Sequence, residues 1–268
     1  MSESLPPWTA QSAFDVRLCW GSPGVRALGA EAGAPLGALV VVDILRFTTA
    51  LDVAVGRGAR VIPLLWPDGP VDRAAYPRGI EIADASGPRR LSLSPATLTG
   101  LGPGDRVVLP SVNGSHCSTL AAGLGVPVVG ASLRNAGAVA HWLLQTTVAR
   151  TTGAGGPGAI AVVACGERWP DGSLRPAVED LLGAGAIVTA LGRGDPARAP
   201  SPEAAAARAA FGSARNDLHG SLAASVSGRE LVAKGNADDI GWAAALDVSP
   251  CVPVLGDDGA YGDAKKTP

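Results

Sequence analysis

The chain alternates short, wholly apolar runs with longer stretches in which apolar residues recur at helical spacing. The run Leu39-Val40-Val41-Val42, with three β-branched residues in four, reads as a buried strand. Ala50, Leu51, Val53, Ala54 and Val55 then predict a helix capped by Thr48 or Thr49 and stopped by Gly56-Arg57-Gly58. The same signals predict strands over residues 14–20, 60–65, 106–109, 126–130, 159–164 and 252–255, with 80–82 as a shorter piece. Pro63 predicts an edge or strand-end position for the strand that holds it. Helices are predicted over 117–124, 136–148, from 179 through 187, over 203–211, within 213–228 and over 238–245. Between 21 and 38 the apolar pattern is too weak to define an element, although a short helix would fit there. Residues 1–14 read as a loose lead-in, 151–158 as a flexible Gly-Thr loop, and 256 onward as a polar, disordered tail. Strands alternating with helices predict an α/β fold of three layers, α/β/α, around a mainly parallel or mixed central sheet. No break in composition divides the chain, so one domain is expected over 1–268, with its core at about 12–255 and the tail at 256–268.

Composition narrows the function classes. With 268 residues, 47% of them hydrophobic, a sizeable core is expected. A net charge of -2 offers nothing to nucleic acid. No run of eighteen apolar residues predicts a membrane span. Residues 1–8 lack the basic start and apolar core of a secretory signal, so a cytoplasmic protein is expected. Cys19, Cys117, Cys165 and Cys251 show no Cys-x-x-Cys spacing, which argues against a zinc site or redox pair and fits thiols kept reduced.

The chemistry gathers where strands end. In open α/β sheets, ligands bind at the carboxyl ends of strands and the amino ends of the helices that follow. Asp43 and Arg46 follow the first apolar run; Ser111, Asn113, Gly114, Ser115 and His116 follow 106–109; Ser132 and Asn135 follow 126–130; Glu167 follows 159–164, with Glu179 and Asp180 on the next helix. An acid at such an edge holds a hard cation, and a guanidinium grips phosphate, sulfonate or carboxylate. Backbone N–H groups at Asn113-Gly114-Ser115 suit a phosphate. Each feature also has a plainer explanation: an ion pair for Asp43 and Arg46, a tight turn for Asn113-Gly114, a helix-start residue for His116, a buried thiol for Cys165, and a dipole-favoured first turn for Glu179 and Asp180. No P-loop is present, and Gly153-Ala154-Gly155-Gly156 precedes a strand, so no dinucleotide fingerprint forms.

The order of these motifs resembles the 2-phosphosulfolactate phosphatase family (ComB type). Asp43-Ile44-Leu45-Arg46-Phe47-Thr48 is similar to its Asp-x-Leu-Arg-x-Thr, Val112-Asn113-Gly114-Ser115-His116 to its Thr-Asn-Gly-Thr-Arg, and Ala131-Ser132-Leu133-Arg134-Asn135 to its Gly-Ser-x-x-Asn. Cys165-Gly166, the pair Glu179-Asp180, and Gly235 to Asp239 resemble its later motifs, so the likeness runs from about Val40 to Leu255. The resemblance implies a Mg²⁺-dependent phosphoric monoester hydrolase linked to coenzyme M biosynthesis, acting on a small phosphorylated anionic metabolite. It implies Asp43 and Arg46 as catalytic, Thr48, Ser111, Asn113, Gly114, Ser115, His116, Ser132 and Asn135 as substrate-binding, and Asp43, Glu179 and Asp180 as metal-binding. A homodimer is left open. The chain departs from the family at His116 (Arg there), at Pro110-Ser111-Val112 (three Thr), at Leu93 (Asn), and where Asp84 stands for a glutamate. Those departures keep two alternatives in view: a phosphatase of the same fold for another phosphorylated metabolite, and a non-catalytic anion-binding homologue.

Overall fold

The structure, a computed structural model, describes residues 9–31, 36–66, 71–149 and 158–265. The predicted loop at 151–157, the lead-in over 1–8 and the end of the tail at 266–268 lie outside them. In chain order, β1 (Val16–Trp20), α1 (Gly21–Ala30), β2 (Leu36–Val42), α2 (Phe47–Gly56) and β3 (Arg60–Leu65) come first. They are followed by β4 (Ile80–Ile82), β5 (Arg106–Ser111), α3 (Gly114–Ala122), β6 (Val128–Ala131) and α4 (Ala136–Ala149). Then come β7 (Ala159–Ala164), a small hairpin of β8 (Glu167–Arg168) and β9 (Leu174–Arg175), and a helical run: α5 (Val178–Gly194), α6 (Pro202–Ala214), α7 (Leu218–Ala224), α8 (Val226–Ala233) and α9 (Asp238–Ala244). The hairpin of β10 (Pro253–Leu255) and β11 (Tyr261–Asp263) closes the chain.

The described residues form a mixed nine-stranded sheet in the order β1-β7-β2-β6-β10-β11-β3-β5-β4. β2 lies between β7 and β6 and runs parallel to both, so its apolar run is covered on every side. Period-two alternation divides it between two cores. Ala38, Val40 and Val42 face one cluster with Leu143 of α4, Ile187 of α5 and Phe211 of α6; Leu39 and Val41 face another with Val25 of α1, Leu51 of α2 and Cys117 of α3. Helices therefore cover both faces, and the fold is the expected three-layer α/β/α. α5 and α6 approach so closely that a Cβ at Gly185 would lie 2.1 Å from the Ala207 carbonyl oxygen. No helix among the described residues is long and apolar enough to cross a membrane.

Two sequence expectations are corrected, and two elements are added. The tail is not disordered through its described part: β11 pairs antiparallel with β10 and β3, and Tyr261 is fully buried with its hydroxyl donating to Ser118 Oγ at 2.7 Å. β3 is internal despite Pro63; its pairing with β11 is at Val61 alone, so Pro63 lies past that ladder, where its missing N–H costs nothing. Residues 21–30 form a helix, α1, whose buried stripe of Gly21, Gly24, Val25 and Leu28 is half glycine and so invisible to an apolar count. Glu167 and Arg168 begin a hairpin, β8–β9, which the apolar pattern did not predict.

Candidate active site

Asp43 stands one residue beyond β2 and is buried. Its Oδ1 accepts from the Phe47 N–H at 3.1 Å, the first residue of α2, and its Oδ2 from the Gly114 N–H at 2.9 Å, the first residue of α3. Ser111 Oγ is 3.4 Å from the same Oδ2 and also accepts from the Gly114 N–H at 3.2 Å. One carboxylate thus joins two helix amino ends, where partial positive charge favours it. Only glycine fits at 114, because a Cβ there would lie 2.7 Å from Asp43 Oδ2 and 2.3 Å from Phe47 Cδ1. Asp43, rather than Thr48 or Thr49, supplies the side-chain bond at the start of α2. Thr48 Oγ1 instead bridges the Asp43 backbone, donating to its carbonyl at 2.8 Å and accepting from its N–H at 3.1 Å.

Asp180, on the first turn of α5, is also buried and does the same work across another junction. Its oxygens accept from the Ile44 N–H at 2.7 Å and the Gly166 N–H at 2.8 Å, tying the ends of β2 and β7 together. Glu179 is buried beside it. Glu167, at the start of β8, accepts from Asn113 Nδ2 at 2.9 Å. These acids feel one another. Burial first, then the charge of Glu179, pushes Asp43 up to about 6 against favourable hydrogen bonds. Burial and then Asp43 raise Glu167 to about 7. Burial, Asp43 and Glu179 hold Asp180 well above the ordinary carboxylate range. Such an acid cluster at a strand edge is a mark of a working site.

Arg46 is bound across the chain: its Nη1 donates to Asp239 Oδ2 of α9 at 2.6 Å, and Asp239 Oδ1 accepts from Ser94 Oγ at 2.5 Å. Asn113 Oδ1 is 3.4 Å from Arg168 Nε, and His116 Nδ1 is 3.3 Å from Arg168 Nη2. His116 is pulled below the usual imidazole range by burial and then by the nearby charges of Arg168 and Arg26. Asn113, His116, Glu167 and Arg168 share a small cavity beside the acid cluster.

Of the predicted residues, the structure brings together Asp43, Ser111, Gly114 and Thr48, with Glu179 and Asp180 close enough to perturb Asp43 and one another. Asn113 and His116 meet at the adjoining cavity. Three other polar groups are engaged within the fold. The Ser115 hydroxyl donates to the Leu109 carbonyl at 3.0 Å and is fully buried. The Ser132 N–H and hydroxyl both approach Asn135 Oδ1, and Asn135 Nδ2 donates to the Cys251 carbonyl at 3.2 Å, so this pair pins the 3-10 turn Leu133–Asn135 to the chain entering β10. The Gly114 N–H, expected to cradle phosphate, is bound to Asp43 instead.

A family model described as 2-phosphosulpholactate phosphatase matches residues 89–258. The chain belongs to this family. No curated protein matches it. The matched stretch of this 2-phosphosulpholactate phosphatase family member holds Ser94, Asn113, Glu167, Glu179, Asp180 and Asp239, while Asp43 and Arg46 precede it. The family is one of phosphatases.

Hard oxygen donors predominate in the cluster, which is the donor chemistry of Mg²⁺. Among the described residues no three acidic, histidine or cysteine side chains converge on one point. Mg²⁺ keeps several waters and needs only one or two carboxylates, so the donor set fits it. Asp43 and Asp180 each hold backbone N–H groups and keep lone pairs free, since a carboxylate has about four acceptor directions.

Sequence reasoning placed Glu167 at a strand end without giving it a role, and missed Arg168, Asp239 and Ser94 as site members. Glu167 carries the same strand-end signal as Asp43, and Asp239 sits in a noted motif, so both had a trace. Arg168 and Ser94 had none, because only folding brings them across 52 residues to His116 and 145 residues to Asp239.

Proposed function

We propose that the protein is a Mg²⁺-dependent phosphatase that hydrolyses the phosphate ester of a small anionic hydroxy acid of the 2-phosphosulfolactate type. The observation that carries this is the acid cluster of Asp43, Glu167, Glu179 and Asp180, in a member of a phosphatase family. Asp43, with Glu179 or Asp180, would hold Mg²⁺. When bound, the ion neutralises charge on the phosphoryl oxygens. Arg46 adds its charge to the same oxygens, and Asp239 fixes its direction. Glu167, with a pKa near neutrality, is suited to give a proton to the leaving alkoxide as the P–O bond breaks, while water supplies the new P–O bond. Asn113 holds Glu167 in place for that transfer.

Phosphate release from 2-phosphosulfolactate, 2-phospholactate and phosphoglycolate tests this reading. Activity is expected to vanish with chelator and to return with Mg²⁺ or Mn²⁺, and Asp43→Asn is expected to lower turnover by orders of magnitude. Full activity after exhaustive chelation would refute the metal role. A second substrate, another phosphorylated hydroxy acid, is favoured by His116 and Leu93 standing where the family has Arg and Asn, and the same panel separates the two.

A further inference from the structure

The cavity beside the acid cluster holds a positive group that the reaction above does not use. The first turn of α1 at Ser22, the start of α3 at Asn113 and His116, and the β8–β9 hairpin at Glu167 and Arg168 wall a space of about 80 Å³. That space suits a single small anionic group. Arg168 reaches into the gap between hairpin and helix, its Nη2 3.3 Å from His116 Nδ1 and its Nε 3.4 Å from Asn113 Oδ1. Both neighbours act as neutral acceptors. His116, held below the usual imidazole range, is uncharged at neutral pH and presents Nδ1 as a lone pair. None of the ion pairs among the described residues involves Arg168. Glu167, the carboxylate in the wall, is tied to Asn113 Nδ2.

Arg46, by contrast, is ion-paired with Asp239 at 2.6 Å. A guanidinium steadied along one edge by two neutral groups, and in none of the ion pairs of the described residues, is set up to receive an anion from outside. Asn113 connects it to the reaction centre: its side chain meets Arg168, and the next residue, Gly114, holds Asp43. Arg26, on α1, adds positive charge near His116.

We propose that Arg168 forms a subsite for the substrate's second anion, a carboxylate or a sulfonate, and so determines which phosphate esters the protein selects. The proposal rests on the phosphatase reading for the identity of the ester, though not for the binding of the anion. Arg168 is a binding residue at the far end of the substrate from the phosphoryl group. Its hydroxy-acid ligand would be clamped between Arg168 and the acid cluster's cation.

The test compares the wild type with Arg168→Ala and Arg168→Lys on three esters: 2-phosphosulfolactate, 2-phospholactate and phenyl phosphate, which lacks a second anion. Arg168→Ala is expected to raise KM for the esters that the subsite reads by about tenfold or more, the size of one hydrogen bond to a charged group, with a smaller change in kcat. The preference for those esters over phenyl phosphate falls accordingly. Arg168→Lys recovers part of the loss, since it keeps the charge and loses the fork. An equal loss on all three esters, or no loss on any, would overturn the proposal. Calorimetric titration with sulfolactate and with lactate separates the two readings, and shows whether sulfonate or carboxylate is the anion read. Arg168-dependent binding of either acid, with no phosphate released from any ester, would sink the phosphatase reading and leave the subsite standing. Phosphate release with neither acid bound by the wild type would sink the subsite alone.

Discussion

Glu167→Gln measures how much the acid cluster costs the fold at neutral pH. Burial and the charge of Asp43 raise Glu167 from its ordinary 4.5 to about 7. A carboxyl whose folded pKa lies above its unfolded one adds stability below about pH 4.5 and loses it as pH rises through about 7. At about 1.4 kcal/mol per pH unit, that span amounts to about 3 kcal/mol, and partial solvent access lowers the expectation to about 2 kcal/mol. Glutamine keeps the oxygen that accepts from Asn113 Nδ2, now 2.9 Å away, and carries no charge to desolvate. The variant should therefore match the wild type in stability near pH 4 and exceed it by about 2 kcal/mol at pH 8, without divalent cations present. Urea denaturation followed by tryptophan fluorescence reads this as a midpoint shift of about 1 M that grows between pH 5 and 7. A difference independent of pH, or a variant less stable than the wild type at pH 8, would refute the electrostatic account of the cluster. Adding Mg²⁺ at pH 8 should narrow the gap, because a cation bound to the native acids offsets the same repulsion.

Other outcomes follow from the same geometry. Asp239→Ala removes the partner of Arg46 and the acceptor of Ser94, and should lower kcat/KM for the phosphate ester by about tenfold or more; unchanged steady-state kinetics would leave the pair a structural tie. Tyr261→Phe loses the bond to Ser118 and should cost about 1 kcal/mol, while Tyr261→Ala should cost about 3–5 kcal/mol in denaturant titrations; negligible effects from both would contradict the docking of β11. Gly185→Ala forces α5 away from Ala207 and should cost about 1–3 kcal/mol by thermal unfolding, with no loss taken as evidence that the helices separate freely.

Much of the architecture was legible because the signals are local. The β-branched run of β2 sets a strand that must be buried on both faces, and the helical spacing of α4 and α5 covers it. Asp43 was visible as an acid at a strand end, and Gly114 as part of a turn at a helix start. Elements whose evidence is not local were misread. β11 is three residues in a polar stretch, and it becomes a strand because β10 and β3 offer it ladders on both sides. Pro63 is tolerated inside the sheet because its neighbour β11 is too short to reach it.

The site divides along the same line. Sequence alone determined which residue types stand at which strand ends: acids after β2 and β7, Asn-Gly after β5, an acidic pair opening α5. Their division of labour was decided by tertiary structure. Asp43 and Gly114 are 71 residues apart, Asp180 and Ile44 are 136 apart, and Arg46 and Asp239 are 193 apart. A side chain's hydrogen-bond partner depends on where the sheet order sets the strand ends, not on its sequence neighbours. So Ser115, Ser132 and Asn135, equal candidates by motif, spend their polar groups holding the fold. Arg168, which no motif marked, borders the cavity because the β8–β9 hairpin meets the start of α3, where its guanidinium contacts the neutral Asn113 and His116 while Glu167 beside it is taken up by Asn113 Nδ2.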